Sequence, residues 1–218
     1  MTADGRTARA DDLHRRLLRT AREVVERHGT ARLTMSELAR TAGVSRRALY
    51  DHFGSRGGLF LALVDDADRE AGLPERVRHV RAAPTGPQAL ERHVALVAEV
   101  SPRLFEVASA AERQRTIDPD VAAAWEDRMA GRLAGCREVV ERLAAEGRLT
   151  PHLTVDRAAD LLYAEISWQR WELLVVERGW TPEQWRQQTV AMLRAVLVES
   201  DGEGSDGRRT PGGATPRR

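Results

Sequence analysis

The sequence predicts an all-α protein of about nine helices, and three observations predict that fold class. Apolar residues recur at spacings of three and four along most of the chain, as they do on one face of a helix. Ser, Thr or Asp precedes most of these segments, and Gly or Pro follows them, as expected for helix caps and stops. No segment alternates apolar and polar residues with the period of two that a half-buried strand requires.

The composition is that of a folded protein without a membrane span. Of the 218 residues, 42% are hydrophobic and 31% are charged, which is enough for a buried core. No run of about 18 apolar residues occurs, and the first 19 residues lack the apolar stretch of a secretion signal. We therefore expect a cytoplasmic protein. Cys136 is the single cysteine, which excludes an internal disulfide and a cysteine-rich metal cluster.

The charge is distributed unevenly along the chain. All 34 basic side chains are Arg, and with 33 acids they give a net charge of +1. Residues 1–60 hold 12 Arg and 7 acids, a net +5, whereas residues 61–200 hold 18 Arg and 23 acids, a net −5. This asymmetry indicates a small anion-binding module on a larger acidic body. The absence of Lys is better explained by genome composition than by function.

Four helices are predicted in the first seventy residues. We expect a mobile leader over residues 1–9 and then an amphipathic helix from about Ala10 to His28, which Gly29 ends. Three short helices follow, and Gly43 separates the first two of them. Their predicted N-caps are Thr34, Ser45 and Ser55.

A body of longer helices is predicted over residues 75–199. Its helix starts are marked by capping residues, most of them with Pro at the first helical position. They stand at Ser101-Pro102, Asp118-Pro119, Thr154 and Thr181-Pro182. The helix that begins at Thr154 is expected to run to about Arg178. Residues 201–218 are polar and rich in Gly and Pro, so we expect a disordered tail.

Residues 33–52 have the pattern of a helix-turn-helix. Leu38 and Leu49 are inward anchors of two short helices, Gly43 supplies the turn, and Val44 fills it. The second helix would then present outward Ser45, Arg46, Arg47, Ala48 and Tyr50. Two adjacent Arg side chains there can reach phosphates or a guanine edge. Any pair of antiparallel helices can share the spacing of the turn, but the excess of Arg and the exposed tyrosine favour DNA binding.

A wider pattern resembles the DNA-binding domain of the tetracycline-repressor (TetR) family over residues 10–70. It consists of Gly29, Leu33-Thr34, Ala42-Gly43-Val44-Ser45, Leu49-Tyr50-x-His52-Phe53, Ser55-Arg56 and Leu59-Phe60. The resemblance implies a homodimeric transcriptional regulator, in most members a repressor that a small molecule releases from a double-stranded DNA operator. It also implies that residues 75–199 form a ligand-binding and dimerisation domain.

The same resemblance implies which residues contact DNA. Residues 45–51 would form the recognition helix, and Thr34 and Arg56 would each contact a phosphate. Tyr50 and His52 would contact the sugar-phosphate backbone of the DNA. The implied set is Thr34, Ser45, Arg46, Arg47, Ala48, Tyr50, His52 and Arg56. Arg47 and Ala48 replace a Gly-Thr pair that is frequent in the family, so the operator sequence cannot be inferred by analogy.

The helix predicted from Thr154 to Arg178 is apolar nearly all round, and so is the last helix. A helix that is apolar on opposite faces must pack against other helices on both faces. A second subunit would supply the packing on the second face. The predicted dimer interface contains Leu162, Ile166, Leu173, Met192 and Val196. The alternative is a thick core within one monomer.

A ligand pocket is expected among the helices of residues 75–178. Its candidate lining residues are His93, Trp125, Arg128, Tyr163 and Trp168. Trp at helical spacing is also typical of an ordinary core, so that alternative stays open for each residue.

The motifs of enzymes are missing from the sequence. The six His form no i, i+4 pair, so we expect no metal site and no cofactor. Cys136 lies in an apolar stripe, as an inert core thiol does. The remaining rival to a ligand-responsive regulator is an architectural or partner-recruiting DNA-binding protein that has no inducer.

Overall fold

The computed structural model describes residues 3–28 and 33–199, and these form the expected all-α fold. The helices are α1 Ala3–His28, α2 Met35–Ala42, α3 Arg46–Phe53, α4 Arg56–Glu70, α5 Leu73–Arg81, α6 Gly86–Gln114, α7 Pro119–Ala145, α8 Val155–Glu165, α9 Trp168–Trp171 and α10 Pro182–Leu197. A π-helical segment, Glu172–Glu177, continues α9. No helix of the described part is long and apolar enough to cross a membrane.

Local capping positions the first short helices where the sequence predicts them. The hydroxyls of Thr34, Ser45 and Ser55 each accept a hydrogen bond from a backbone amide three residues on, at 3.1 Å. Gly43 ends α2 in the left-handed region, at φ 67°, and its amide donates to carbonyls of the last turn. α1 begins at Ala3, so the mobile leader predicted over residues 1–9 is wrong for residues 3–9. The predicted stop at Gly29 lies outside the described residues.

The N-terminal helices share a small aliphatic core. It contains Leu17, Leu18, Ala21, Val24, Val25, Leu33, Met35, Leu38, Ala39, Leu49, Phe53, Leu59, Phe60 and Leu63. Val107 and Ala111 of α6 and Val121 of α7 complete this core. The N-terminal helices are therefore packed onto the first turns of α7 and the last turns of α6.

A second and larger core lies among α5, α6, α7, α8 and α10. The predicted helix start at Ser101-Pro102 is wrong, because α6 runs unbroken through Pro102. Proline within a helix removes one backbone hydrogen bond. Ser101 is fully buried, and so many neighbouring residues of α6 are buried that packing holds this helix together across the proline.

The single helix predicted from Thr154 to Arg178 is interrupted. α8 ends at Glu165, and Ser167 caps α9 by accepting from the Arg170 amide at 3.3 Å. Arg132 of α7 donates from Nη2 to the carbonyl of Ile166 at 2.7 Å, which satisfies an acceptor that the break leaves without a helical partner. An apolar stripe cannot report such a break, because it depends on a side chain 34 residues away in the chain.

Candidate nucleic-acid interface and ligand cavity

α3 presents a basic surface to solvent. Leu49 and Phe53 are buried against α1 and α4, which turns Arg46, Arg47 and Tyr50 outward, the last with 42% of its surface exposed. Among the described residues, neither arginine has a carboxylate partner. The surface therefore carries two guanidinium groups that are free to meet an anion, at the N-terminal end of a helix whose dipole favours anions.

Other predicted contact residues differ in how they are placed. Thr34 is exposed at the start of α2, with its hydroxyl engaged in the cap. The half-buried ring of His52 lies 6.1 Å from that of His14 on α1. Arg56 differs from the expectation: its side chain is only 23% exposed and forms an ion pair with Asp118 at 3.6 Å. Arg56 is thus a junction residue between α4 and α7.

A close backbone approach reinforces that junction. Gly57 of α4 is buried against the first turn of α7, and a Cβ at Gly57 would overlap the backbone carbonyl of Asp120. Asp118 holds the same turn by accepting from the amides of Asp120 and Val121 at 3.1 and 3.4 Å. α4 and α7 therefore meet at this end with no side chain between them.

A cavity of about 370 Å³ lies between α4, α5, α6 and α7. Most of its lining is aliphatic, and α4 contributes Phe60, Leu61, Val64 and Asp68. Four predicted residues line it, namely His93, Trp125, Arg128 and Trp168. Tyr163 does not: it lines a neighbouring cavity of about 160 Å³, which shares Trp125 and Trp168 with the larger one.

Sequence reasoning missed Arg132, which lines both cavities. Its position was readable, because Arg132 follows Arg128 by four residues and Trp125 by seven and so shares their face of α7. Ile166 was also missed as a cavity residue.

The two arginines of the cavity have different surroundings. Arg128 forms ion pairs with Asp65, at 3.1 Å, and with the buried Asp68, both of α4. Arg132 has no carboxylate partner among the described residues. Its guanidinium donates to the Ile166 carbonyl and lies 4.6 Å from the ring centre of Trp168. Burial lowers the pKa of the Arg132 guanidinium from its usual value, and the nearby Arg128 adds to this effect.

Two side chains that are uncharged at neutral pH, His93 and Cys136, lie near Arg132. Burial, together with Arg132, lowers the pKa of His93 to about 4, so that its imidazole is neutral at neutral pH. Burial raises the pKa of the Cys136 thiol to about 12, and its Sγ lies 3.7 Å from Nε2 of His93. A protonated thiol is a poor nucleophile, in keeping with the inert core role expected for Cys136.

The predicted dimer residues fall into two groups. Leu162 and Ile166 are 0% and 2% exposed, so they belong to the core of the chain itself and do not form a surface, contrary to expectation. The break after α8 turns Ile166 toward the cavity. Leu173 and Val196 are exposed, and Met192 is partly buried.

Two helices around a glycine turn, packed against a helical body that contains a cavity, define a helix-turn-helix protein. Residues 17–63 match the family of bacterial regulatory proteins named tetR. A comparison with curated proteins gives no significant match.

Several solved structures share the fold across nearly the whole chain. A protein from Saccharomonospora viridis, described as a transcriptional regulator and solved with choline, is 19% identical and covers 87% of this chain and 100% of its own, with a TM-score of 0.70. NalD, the secondary repressor of the MexAB-OprM multidrug efflux pump in Pseudomonas aeruginosa, is 19% identical over 88% and 99%, with a TM-score of 0.65. FadR from Bacillus subtilis, solved with stearoyl-CoA, is 15% identical over 82% and 96%, with a TM-score of 0.65.

The resemblance to the TetR family is thereby confirmed. Residues 17–63 match that family, and the fold of the chain is the fold of solved TetR-family transcriptional regulators.

Proposed function

We propose that this protein is a homodimeric, ligand-responsive transcriptional regulator, a repressor, which binds a palindromic DNA operator through the recognition helix of residues 45–51. One observation carries the proposal: α3 exposes Arg46 and Arg47, which have no carboxylate partner in the described part of the chain, inside the segment that matches the TetR family. A surface guanidinium pair of this kind supports phosphate and base-edge contacts in the major groove.

The dimer is supported by an apolar surface on the C-terminal helices. Leu161 of α8, Leu173 and Val176 of the π-helical segment, and Val196 of α10 are each between 39% and 56% exposed. Exposed apolar residues concentrated on adjacent helices are typical of an interface. A symmetric dimer would present two copies of α3 to successive major grooves, about 34–36 Å apart. A monomer mass in light scattering at micromolar concentration would refute this part.

The ligand response is supported by the position of α4. The same helix lines the cavity with Phe60, Val64 and Asp68 and meets α7 near Gly57, close to the DNA-binding helices. A ligand that prefers one placement of α4 would shift the population of dimers away from the spacing that DNA requires. Choline and stearoyl-CoA, bound to proteins of the same fold, support a small organic effector.

Selection of binding sites from random DNA tests the proposal. A regulator yields a two-fold symmetric consensus with two half-sites. A flat profile would instead favour the rival, an architectural DNA-binding protein without an inducer.

Arg47→Ala tests the recognition helix. We expect operator affinity to fall by about 1–3 kcal/mol, because a base or phosphate contact is lost. Fluorescence anisotropy over a range of salt concentrations measures it. Arg103→Ala, at an exposed position of α6 in the body, is the matched control and should leave the affinity unchanged. Unchanged affinity in Arg47→Ala at every salt concentration would refute the assignment.

A further inference from the structure

Two arginines line the cavity, and they differ in whether a carboxylate contacts them. Arg128 is paired with Asp65 and Asp68, and His93, whose pKa lies near 4, is neutral at neutral pH. Asp127, the remaining acid of the lining, is exposed to solvent. The positive charge of Arg132 is therefore left without a counterion in the part of the chain that the structure describes.

The surroundings of Arg132 leave donors available. A guanidinium has five N–H groups in a planar fork, and only the one from Nη2 to the Ile166 carbonyl has a partner in the described residues. Trp168 covers one face of the group. Because Arg132 lines both the larger and the smaller cavity, its free edge is available to a molecule in either.

Arg132 is partly buried, and a charge that is partly removed from water favours an ionic partner. Neither carboxylate of the lining pairs with Arg132, because Asp68 is paired with Arg128 and Asp127 is exposed to solvent. The wall formed by α6 is aliphatic. A ligand that suits both features has an apolar body and one anionic group. The planar fork of arginine matches the two oxygens of a carboxylate.

We propose that the effector of this protein is an apolar carboxylate, whose carboxylate group binds Arg132 and whose body fills the cavity between α4, α5, α6 and α7. The proposal rests on the ligand-responsive function proposed above and names the class of ligand. Arg132 sets the preference for a negative charge, while the aliphatic walls and Trp125 and Trp168 accept the apolar part.

Direct binding to the full-length protein, without DNA, tests the proposal. The probes are straight-chain carboxylates of six to twelve carbons, the alcohols of the same lengths and the corresponding amines, all below micelle-forming concentrations. Trp125 and Trp168 line the cavity, so intrinsic tryptophan fluorescence reports occupancy. We expect the best carboxylate to bind at least about ten-fold more tightly than its alcohol and its amine.

Variants assign that preference to Arg132. In Arg132→Gln the carboxylate and the alcohol should bind within about three-fold of each other, and Arg132→Lys should keep part of the preference. The control is Arg137→Gln on the same helix, where the side chain is exposed and paired with Glu141 and Asp156. Thermal unfolding of each variant establishes that it is folded.

Three results would overturn the proposal: no carboxylate of the series binds, the alcohol or the amine binds as tightly as the carboxylate, or Arg132→Gln keeps the preference. A failure here is distinguishable from failure of the proposed function. A symmetric consensus from the DNA selection would keep the regulator and reject only the ligand class.

Discussion

The helix α3 and the C-terminal body differ in how their exposed arginines are paired. On α3, Arg46 and Arg47 are exposed and have no acidic partner among the described residues. In the body, exposed arginines are commonly paired, as Arg81 is with Glu138 at 2.9 Å and Arg186 with Glu183 at 2.6 Å. The contrast is confined to α3, because other arginines of the N-terminal helices are paired, as Arg22 is with Asp66 and Arg27 with Glu23.

The two regions also differ in their cores. The N-terminal helices enclose a compact aliphatic cluster, and α2 and α3 have only 8 residues each. The body is built on α6 and α7, of 29 and 27 residues, and it contains a cavity and a partly buried arginine. The first region therefore has a small core without a large cavity of its own among the described residues, whereas the larger core of the body borders one.

Equivalent truncations in the two cores test whether the regions are energetically separate. Leu49 and Leu90 are both 0% exposed, the first in the N-terminal core and the second in the body. Replacing either with Ala should lower the free energy of unfolding by about 2–5 kcal/mol, because a cavity is left. Hydrogen exchange should show faster opening of α2 and α3 in Leu49→Ala, and of α6 and α10 in Leu90→Ala. If hydrogen exchange became faster by the same factor in all helices of both variants, the two cores would open as one unit.

Acid should destabilise the body through His93. Its pKa is lowered to about 4 in the folded state, against 6.5 for the ordinary group. The unfolded chain therefore takes up a proton as the pH falls through about 6.5, while the folded chain does so only near 4. Stability is lost between these values, by up to about 3 kcal/mol.

His93→Gln removes this contribution, so that its unfolding free energy should fall less than that of the parent protein between pH 7 and 4. Urea titrations at several pH values measure the difference. His152→Gln, at an exposed position, is the control. Parallel pH profiles of the parent protein and His93→Gln would contradict the prediction.

A change at the junction should disturb the relation between the two regions. In Gly57→Ala the new methyl group would overlap the Asp120 carbonyl, so α4 and α7 must separate. We expect a loss of about 1–3 kcal/mol in stability, as for other overpacked sites. Gly131→Ala on α7 is the matched control, because no atom lies within 4 Å of its new Cβ, and it should stabilise the helix by about 0.5–1 kcal/mol. Denaturant unfolding compares the two; a Gly57→Ala protein as stable as the parent would show that the contact is loose.

The elements fixed by local chemistry were predictable from the sequence. The caps at Thr34, Ser45, Asp118 and Thr181 depend on bonds between near neighbours, and all four are present. Ser101-Pro102 has the same local pattern, yet it lies inside α6, because burial along that helix outweighs one lost hydrogen bond.

The site was predictable where helical periodicity alone determines which residues meet. Four of the five predicted cavity residues lie on the cavity, and two of them, Trp125 and Arg128, are three residues apart on one face of α7. The ion pair of Arg56 with Asp118 joins residues 62 positions apart, and no pattern in the sequence reports such a contact. Ile166 was assigned to the dimer interface because the apolar stripe does not report the break after α8, beyond which Ile166 lines the cavity.

The contact of Gly57 with the backbone of α7 has a mechanical consequence. Two backbones in direct contact leave no layer of side chains between them, so any tilt of α4 relative to α7 would have its fulcrum at Gly57. Asp68, at the cavity end, lies eleven residues further along, about 16 Å away on a helix. A displacement of about 1 Å there would tilt α4 by about 4°, and that small rotation is transmitted to the helices seated beyond the fulcrum.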